Sequence, residues 1–111
     1  MHTITLTTTG RLSGRTRAVT LYAFDDGDRL VIVGSRGGSP RHPGWLHNLR
    51  AEPRASVTIG DRVSRVRARE VGEDERERLW ALVSEAFPPY DYYQGKTRRR
   101  IPLIVLEPAQ D

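Results

Sequence analysis

The stretch RAVTLYAFDDGDRLVIVGS, residues 17–35, decides the fold, because it holds two strand-forming runs on either side of a turn. The sequence DDGD at residues 25–28 is a hairpin turn signal between them. In the second run, residues 31–33 place apolar groups on both faces, which is typical of a strand buried on two sides. The stretch therefore predicts an antiparallel pair of strands, the second of them central in a sheet.

The same strand signals recur on either side of this hairpin. Residues 3–10, TITLTTTG, are rich in β-branched side chains and predict a strand that stops at a glycine. Residues 55–71 predict a second hairpin, in which Val57 and Ile59 face a core and alternate with polar residues. IPLIVLEP, residues 101–108, predicts a last strand.

Two segments have helical signals instead. Residues 72–87, GEDERERLWALVSEAF, place apolar residues at helical spacing behind an acidic first turn, and Pro43 suits the first turn of a short helix. The chain shows no repeated βαβ unit. We therefore expect a mainly β (α+β) fold, a single domain over residues 1–111, with about six antiparallel strands rolled into a small barrel and two to three flanking helices.

The composition limits the functions that this chain can have. Its 111 residues include no cysteine, which excludes disulfides and cysteine nucleophiles, and three histidines without clustered carboxylates predict no metal site. No run approaches the roughly 18 apolar residues that span a bilayer, so we expect a cytoplasmic protein without stable membrane insertion. A net charge of +4 indicates an anionic partner: nucleic acid, a membrane surface or a small charged ligand.

The first motif that needs more than a fold to explain it is the turn TTTGRLSGRTR, residues 7–17. Gly10 and Gly14 bracket it, so main-chain N–H groups, a hydroxyl and guanidinium groups converge as a phosphate site requires. A glycine-containing hairpin turn with solvated arginines is the alternative. The side chains concerned are Arg11, Ser13, Arg15 and Arg17.

The second motif is SRGGSPRHPGWLHNL, residues 35–49. Its glycines let a ligand approach the backbone, and Arg36 supplies a charge at the end of a strand. Gly44 and Trp45 would lie near the positive N-terminus of the short helix, with Asn48 one turn later. This arrangement suits a flat, polar, anionic ligand. The alternative is that Trp45 packs in the core and Asn48 is a helix cap.

The third motif is FPPYDYYQGKTRRR, residues 87–100, a proline-initiated turn or helix start beside basic residues. The phenols of Tyr90 and Tyr93 could stack on a ligand and donate a hydrogen bond or a proton. Packing at the edge of the core is the alternative for the tyrosines, and a solvated face for the basic residues. His42 and His47 have no nearby carboxylate in the sequence, so we expect them to be structural.

Taken together and in order, these motifs resemble the deazaflavin-dependent nitroreductase and quinone reductase family. Its members use coenzyme F-420, an 8-hydroxy-5-deazaflavin with a phospholactyl-oligoglutamate tail. The resemblance covers LTTTGRLSGRTRAVTLY, DGDRLVIVGSRGGSPRHPGWLHNLRAEPRASVTIG, FPPYDYYQ and RRIPLIVLEP. It implies a split β-barrel and an oxidoreductase that passes hydride from the reduced coenzyme to a quinone, an enone or a nitroaromatic.

The resemblance also implies where the coenzyme and the acceptor lie. The anionic tail would meet the basic turn, the deazaflavin ring would lie beside the short helix, and a tyrosine would cover the ring next to the acceptor. The expected catalytic residues are Tyr90 and Tyr93. The expected cofactor contacts are Arg11, Ser13, Arg15, Arg17, Thr20, Tyr22, Val33, Gly34, Ser35, Arg36, Gly44, Trp45, Asn48 and Tyr90.

Several alternatives stay open at this point. The barrel could instead bind flavin mononucleotide (FMN) or a tetrapyrrole. A basic nucleic-acid-binding module would use the arginines at residues 65–69 and 98–100 as phosphate contacts, but no recognition motif appears, and we expect no nucleic-acid partner. Phe87 stands where nitroimidazole-activating members have tyrosine, so the acceptor is open, as is the choice between monomer and homodimer.

Overall fold

Six antiparallel strands close into a barrel in the computed structural model, which describes residues 1–109. The neighbours around the barrel follow the order β1-β2-β3-β6-β5-β4. This architecture confirms the predicted fold class. The strands are β1 (His2–Thr9), β2 (Thr16–Asp26), β3 (Arg29–Val33), β4 (Arg54–Ile59), β5 (Arg62–Glu70) and β6 (Leu103–Pro108).

The hairpin of β2 and β3 is short, and the barrel opens beside it. β3 pairs with β2 only at Phe24, Asp25 and Asp26, and then pairs with β6 along its length. The first eight residues of β2, residues 16–23, pair with β1 on one side. On the other side they have no strand partner among the described residues. The split in the barrel lies along this edge.

Two apolar clusters lie on opposite faces of β3. Ile32 packs in the barrel interior, whereas Val31 and Val33 pack outside it against Leu79 of a helix. β3 is therefore buried on two sides, as predicted. The expectation that Ile59 faces the core is wrong, because this last residue of β4 lies beside the hairpin turn and is 38% exposed.

Three α-helices flank the barrel in the described residues: α1 (Gly44–Ala51), α2 (Glu73–Ala86) and α3 (Pro89–Lys96). α1 carries apolar residues into one end of the barrel, and its N-cap is Pro43. α2 and α3 cover the outer cluster and are joined where the indole N–H of Trp80 donates to Asp91 Oδ1 at 2.8 Å. The sequence predicted α3 only as a turn or helix start.

Candidate functional site

A cavity of about 1460 Å³ lies where β2 separates from β3. Its walls are the exposed face of β2, the turn after β1, the loop between β3 and α1, and the start of α3. Pockets for drug-sized ligands occupy about 300–1,000 Å³, so this cavity has room for a large ligand and a second small molecule. The predicted residues that line it are Arg11, Ser13, Arg17, Thr20, Tyr22, Val33, Ser35, Arg36, Gly44, Trp45, Asn48, Tyr90 and Tyr93.

Arg15 and Gly34, also predicted as contacts, do not line the cavity. The Arg15 main chain instead closes the turn, accepting a hydrogen bond from the Gly10 N–H at 2.7 Å. Gly34 is packed against the interior, where its N–H donates to the Pro102 carbonyl and an added Cβ would lie 3.4 Å from the Pro102 ring. Packing against Pro102 turns Gly34 away from the cavity, whereas the Arg15 side chain is exposed on the turn outside the cavity lining.

Asn48 ties the arginine turn to α1. Its Oδ1 accepts from the Arg11 main-chain N–H at 3.1 Å and from Arg11 Nη1 at 3.2 Å, and its Nδ2 donates to Thr8 Oγ1 at 3.2 Å. Asn48 is buried in the middle of the helix, so the alternative reading as a cap is wrong. The buried amide fixes the turn against the cavity wall.

The loop after β3 has three successive residues in the left-handed region, with φ of 44° at Arg36, 62° at Gly37 and 82° at Gly38. A Cβ at Gly38 would lie 2.8 Å from the Tyr93 carbonyl oxygen, so glycine is required for the loop to approach α3. Arg36 is the one described non-glycine residue with a positive φ. Backbone strain of this kind clusters at functional sites, and here it lies at the cavity rim.

Arg99 holds this loop from the other side. Its Nε donates to the Ser39 carbonyl at 2.7 Å, Nη1 to the Gly34 carbonyl at 3.0 Å and Nη2 to the Ser35 carbonyl at 2.7 Å. The sequence predicted a solvated face for this part of the chain, so the role of Arg99 was missed. A run of three arginines gives no local signal of which side chain folds inward.

The cavity is strongly basic. Arg11, Arg17, Arg36 and Arg41 line it, and no described Asp or Glu does. Guanidinium groups without carboxylate partners attract anions, most strongly where apolar walls exclude water. Sequence reasoning missed Arg41, His42 and His47, although all three lie in the motif at residues 35–49.

Aromatic rings form the wall on the α3 side. Tyr90 is 5% exposed and packs against Phe87 and Phe24 with ring centroids 4.9 and 5.8 Å away. Its hydroxyl has no hydrogen-bond partner in residues 1–109. Burial, followed by the nearby Tyr93 and Tyr22, raises the pKa of Tyr90 to about 12. The phenol therefore stays protonated at neutral pH and is available as a donor to a ligand.

Residues 1–109 lack a candidate membrane-spanning helix and a candidate metal site. None of their helices combines the length and apolar character needed to cross a membrane. Nor do these residues contain three His, Asp or Glu side chains grouped so that they could hold a metal ion.

Comparison with known proteins places this chain among the reductases that depend on coenzyme F-420. A solved structure titled F420-H2 dependent reductase (FDR-A) is 43% identical, with a TM-score of 0.86 over 95% of this chain and 93% of that one. Another, described as a domain-swapped dimer, is also 43% identical, with a TM-score of 0.87 over 95% of this chain and 79% of that one.

The family follows from the sequence comparisons. The chain belongs to the F420H(2)-dependent quinone reductase family, whose profile it matches over residues 1–108. The F420H(2)-dependent quinone reductase Rv1261c of Mycobacterium tuberculosis (strain H37Rv) is 40% identical over 91% of this chain and 70% of its own length. A putative quinone reductase of the same organism, Rv3178, is 34% identical over 96% of this chain and 89% of its own length. The predicted family, coenzyme and reductase activity are thereby confirmed.

Proposed function

We propose that the cavity binds coenzyme F-420 through the predicted residues that line it, and that the acceptor is a quinone held beside Tyr90. The observation that carries this proposal is the combination of four arginines without a carboxylate and an aromatic wall in one cavity. This donor set fits the ligand, because the phospholactyl-oligoglutamate tail is anionic and the deazaflavin ring is flat. The volume of about 1460 Å³ leaves room for an acceptor as well.

The chemistry of the reaction comes from the coenzyme, which supplies a hydride when bound in its reduced form. The residues of this chain bind the coenzyme and orient it towards the acceptor. Arg11, Arg17 and Arg36 bind the anionic tail, and Trp45, which is 8% exposed, forms the wall at the start of α1. Close placement of two reactants lowers the barrier by reducing the entropy lost in the transition state.

Tyr90 acts on the acceptor. Its protonated hydroxyl donates a hydrogen bond to the acceptor oxygen, where negative charge develops as the hydride arrives. Phe87 and Tyr93 line the same wall and exclude water from this contact. A quinone suits the site because its reduction places charge on an oxygen. Phe87 lacks the hydroxyl that a tyrosine would offer to a nitroimidazole.

A binding titration tests the coenzyme assignment. We expect tight binding of coenzyme F-420 and no comparable binding of FMN, whose single phosphate would engage only part of the arginine set. Oxidation of the reduced coenzyme should then depend on an added quinone and be followed by absorbance. Preferential binding of FMN would overturn the proposal.

Tyr90→Phe tests the donor role. The variant keeps the ring and loses the hydroxyl, so coenzyme affinity should hold while turnover falls by a factor of about 10, the loss of one hydrogen bond worth about 1.4 kcal/mol in the transition state. Tyr92→Phe is the matched control, because Tyr92 is 66% exposed and does not line the cavity. Wild-type turnover by Tyr90→Phe, with hydride transfer rate-limiting, would remove the hydroxyl from the mechanism.

A homodimer, rather than a monomer, is the assembly that the comparisons favour. The solved structure at 43% identity that is described as a domain-swapped dimer supports it. Light scattering at several concentrations measures the mass and decides between the two.

A further inference from the structure

His42 lines the cavity with one of its two ring nitrogens already engaged. Its Nδ1 lies 3.0 Å from Nη1 of Arg99, whose guanidinium is fixed by the carbonyls of Gly34, Ser35 and Ser39. The His47 ring packs against His42 edge-on, with ring centroids 5.8 Å apart. The position and the plane of the His42 ring are therefore set by the protein.

The contact with Arg99 determines which ring nitrogen of His42 carries the proton. A guanidinium has only donors, so Nδ1 must accept, and the neutral ring carries its hydrogen on Nε2. Burial of the ring, followed by the positive charges of Arg99 and Arg50, lowers the pKa of His42 below its usual value. His42 is thus neutral at pH 7, with an Nε2–H donor that has no partner in residues 1–109.

The surroundings indicate what this donor binds. Arg36 and Arg41 line the same cavity, and no described carboxylate lines it that could accept the hydrogen bond. An oxygen of an anionic ligand is the acceptor that this setting favours, because the arginines attract it and the neutral imidazole adds a directed bond.

We propose that His42 is a binding residue for an anionic oxygen in the tail of coenzyme F-420, phosphate or glutamate carboxylate, and that Arg99 is the residue that positions it. Arg99 acts through His42 by holding the imidazole in the tautomer that donates from Nε2. The proposal rests on the proposed function, since it takes coenzyme F-420 as the ligand.

The tautomer is measured without any coenzyme. In the ¹⁵N NMR spectrum of the free protein at pH 7, the Nδ1 of His42 should have the shift of an unprotonated nitrogen and Nε2 that of an N–H. In Arg99→Lys, which loses the planar fork, the Nδ1–H tautomer should become populated. A wild-type ring with its hydrogen on Nδ1, or a charged ring at pH 7, would overturn the proposal while leaving the proposed function intact.

Two substitutions separate the two nitrogens of His42. His42→Asn places an acceptor oxygen near the former Nδ1 and removes the ligand donor, so coenzyme affinity should fall about 5- to 10-fold. His42→Gln places an amide N–H₂ near the former Nε2 and should restore affinity to within about twofold of the wild type. His2→Asn is the matched control, since His2 pairs with Asp25 and does not line the cavity.

Fragments of the coenzyme locate the contact. If His42 binds the phosphate, His42→Asn weakens both the whole coenzyme and a fragment that keeps the phospholactyl group but lacks glutamate. If it binds a glutamate carboxylate, only the whole coenzyme is affected. Equal weakening of a deazaflavin fragment without the tail, or wild-type affinity of His42→Asn in a correctly folded protein, would overturn the proposal. A wild-type protein that binds no coenzyme would overturn the proposed function and this proposal with it.

Discussion

The arginines on the two sides of this barrel have different partners. On the α2 side, Arg69 pairs with Glu75 at 2.8 Å and Glu107 at 3.1 Å, and Asp26 accepts from Arg29 and Arg78. Around the cavity, no described carboxylate pairs with Arg17, Arg36 or Arg41. The same residue type therefore serves the fold on one side and is left for a ligand on the other.

This difference weakens the nucleic-acid alternative. That alternative needs the arginines at residues 65–69 and 98–100 as phosphate contacts, yet Arg69 and Arg100 pair with carboxylates and Arg99 binds main-chain carbonyls. A positive net charge indicates an anionic partner, but the pairing of each charge indicates where that partner binds.

The largest expected effect follows from removing an unpaired cavity charge. Arg36→Ala should weaken coenzyme binding by about 1–3 kcal/mol, roughly 5- to 150-fold, because a charge-assisted contact to an anion is lost. The loss should shrink at high salt, since Arg36 is exposed and its charge is screened. Coenzyme titration at two salt concentrations measures the loss of affinity and its dependence on salt. Unchanged affinity of Arg36→Ala at low salt would show that Arg36 does not contact the coenzyme.

Removing a paired charge should instead affect stability. Asp26→Asn should lower the free energy of unfolding at pH 7 by about 1–2 kcal/mol and leave coenzyme affinity unchanged. The hydrogen bonds from Arg78 and Arg29 hold the pKa of Asp26 well below its usual range. This stabilisation is present above the unfolded pKa of about 4 and is lost as the pH falls towards the folded pKa.

Urea unfolding at pH 7 and pH 3 measures how the stabilisation by Asp26 depends on pH. The difference between the wild type and Asp26→Asn should narrow at the lower pH, because the Asp26 carboxylate of the unfolded wild type is then protonated while that of the folded protein is still ionised. A variant as stable as the wild type at pH 7 would show that the network does not stabilise the fold.

A smaller effect separates strain from charge at Arg36. Arg36→Gly and Arg36→Ala should bind the coenzyme equally weakly, because both lack the guanidinium. The glycine variant should be the more stable of the two by about 0.5–1 kcal/mol, since a φ of 44° disfavours any side chain. Thermal unfolding compares them, and a more stable alanine variant would mean that the left-handed backbone costs nothing here.

The smallest effect is expected for a charge outside the cavity. Arg67→Ala removes one positive charge from β5, as Arg36→Ala removes one from the loop, yet Arg67 does not line the cavity. Coenzyme affinity should change by less than about twofold, because charges beyond a Debye length of about 8 Å are screened at physiological salt. A loss as large as that of Arg36→Ala would mean that net charge, not the cavity, governs binding.

The order of the strands along the chain and the segments that line the cavity could be predicted because they depend on local patterns. The turn signal at residues 25–28 and the apolar run after it predict the β2–β3 hairpin, and the glycines and arginines at residues 7–17 predict a ligand-binding turn. The length of a strand pairing is not a local property. Neither run shows that β3 leaves β2 after three residue pairs, and this departure opens the cavity.

The contacts that were missed join distant parts of the chain. Arg99 is one of three consecutive arginines, and only the folded loop beside it provides the carbonyls of Ser35 and Ser39. His42 lacks a carboxylate neighbour and was therefore expected to be structural, but an arginine is its partner. Conversely, Gly34 follows a strand as a binding glycine would, and packing against Pro102 turns it inward.

The hydrogen bonds from Arg99 to the loop after β3 determine when the cavity wall forms as the chain is synthesised on the ribosome. The loop that Arg99 fixes precedes it by 60 to 65 residues, so the cavity wall is synthesised long before the side chain that shapes it. A nascent chain ending before residue 99 carries the cations of the loop but not the hydrogen bonds that hold its carbonyls. The wall of the cavity is therefore completed late in translation, when the last strand joins the barrel.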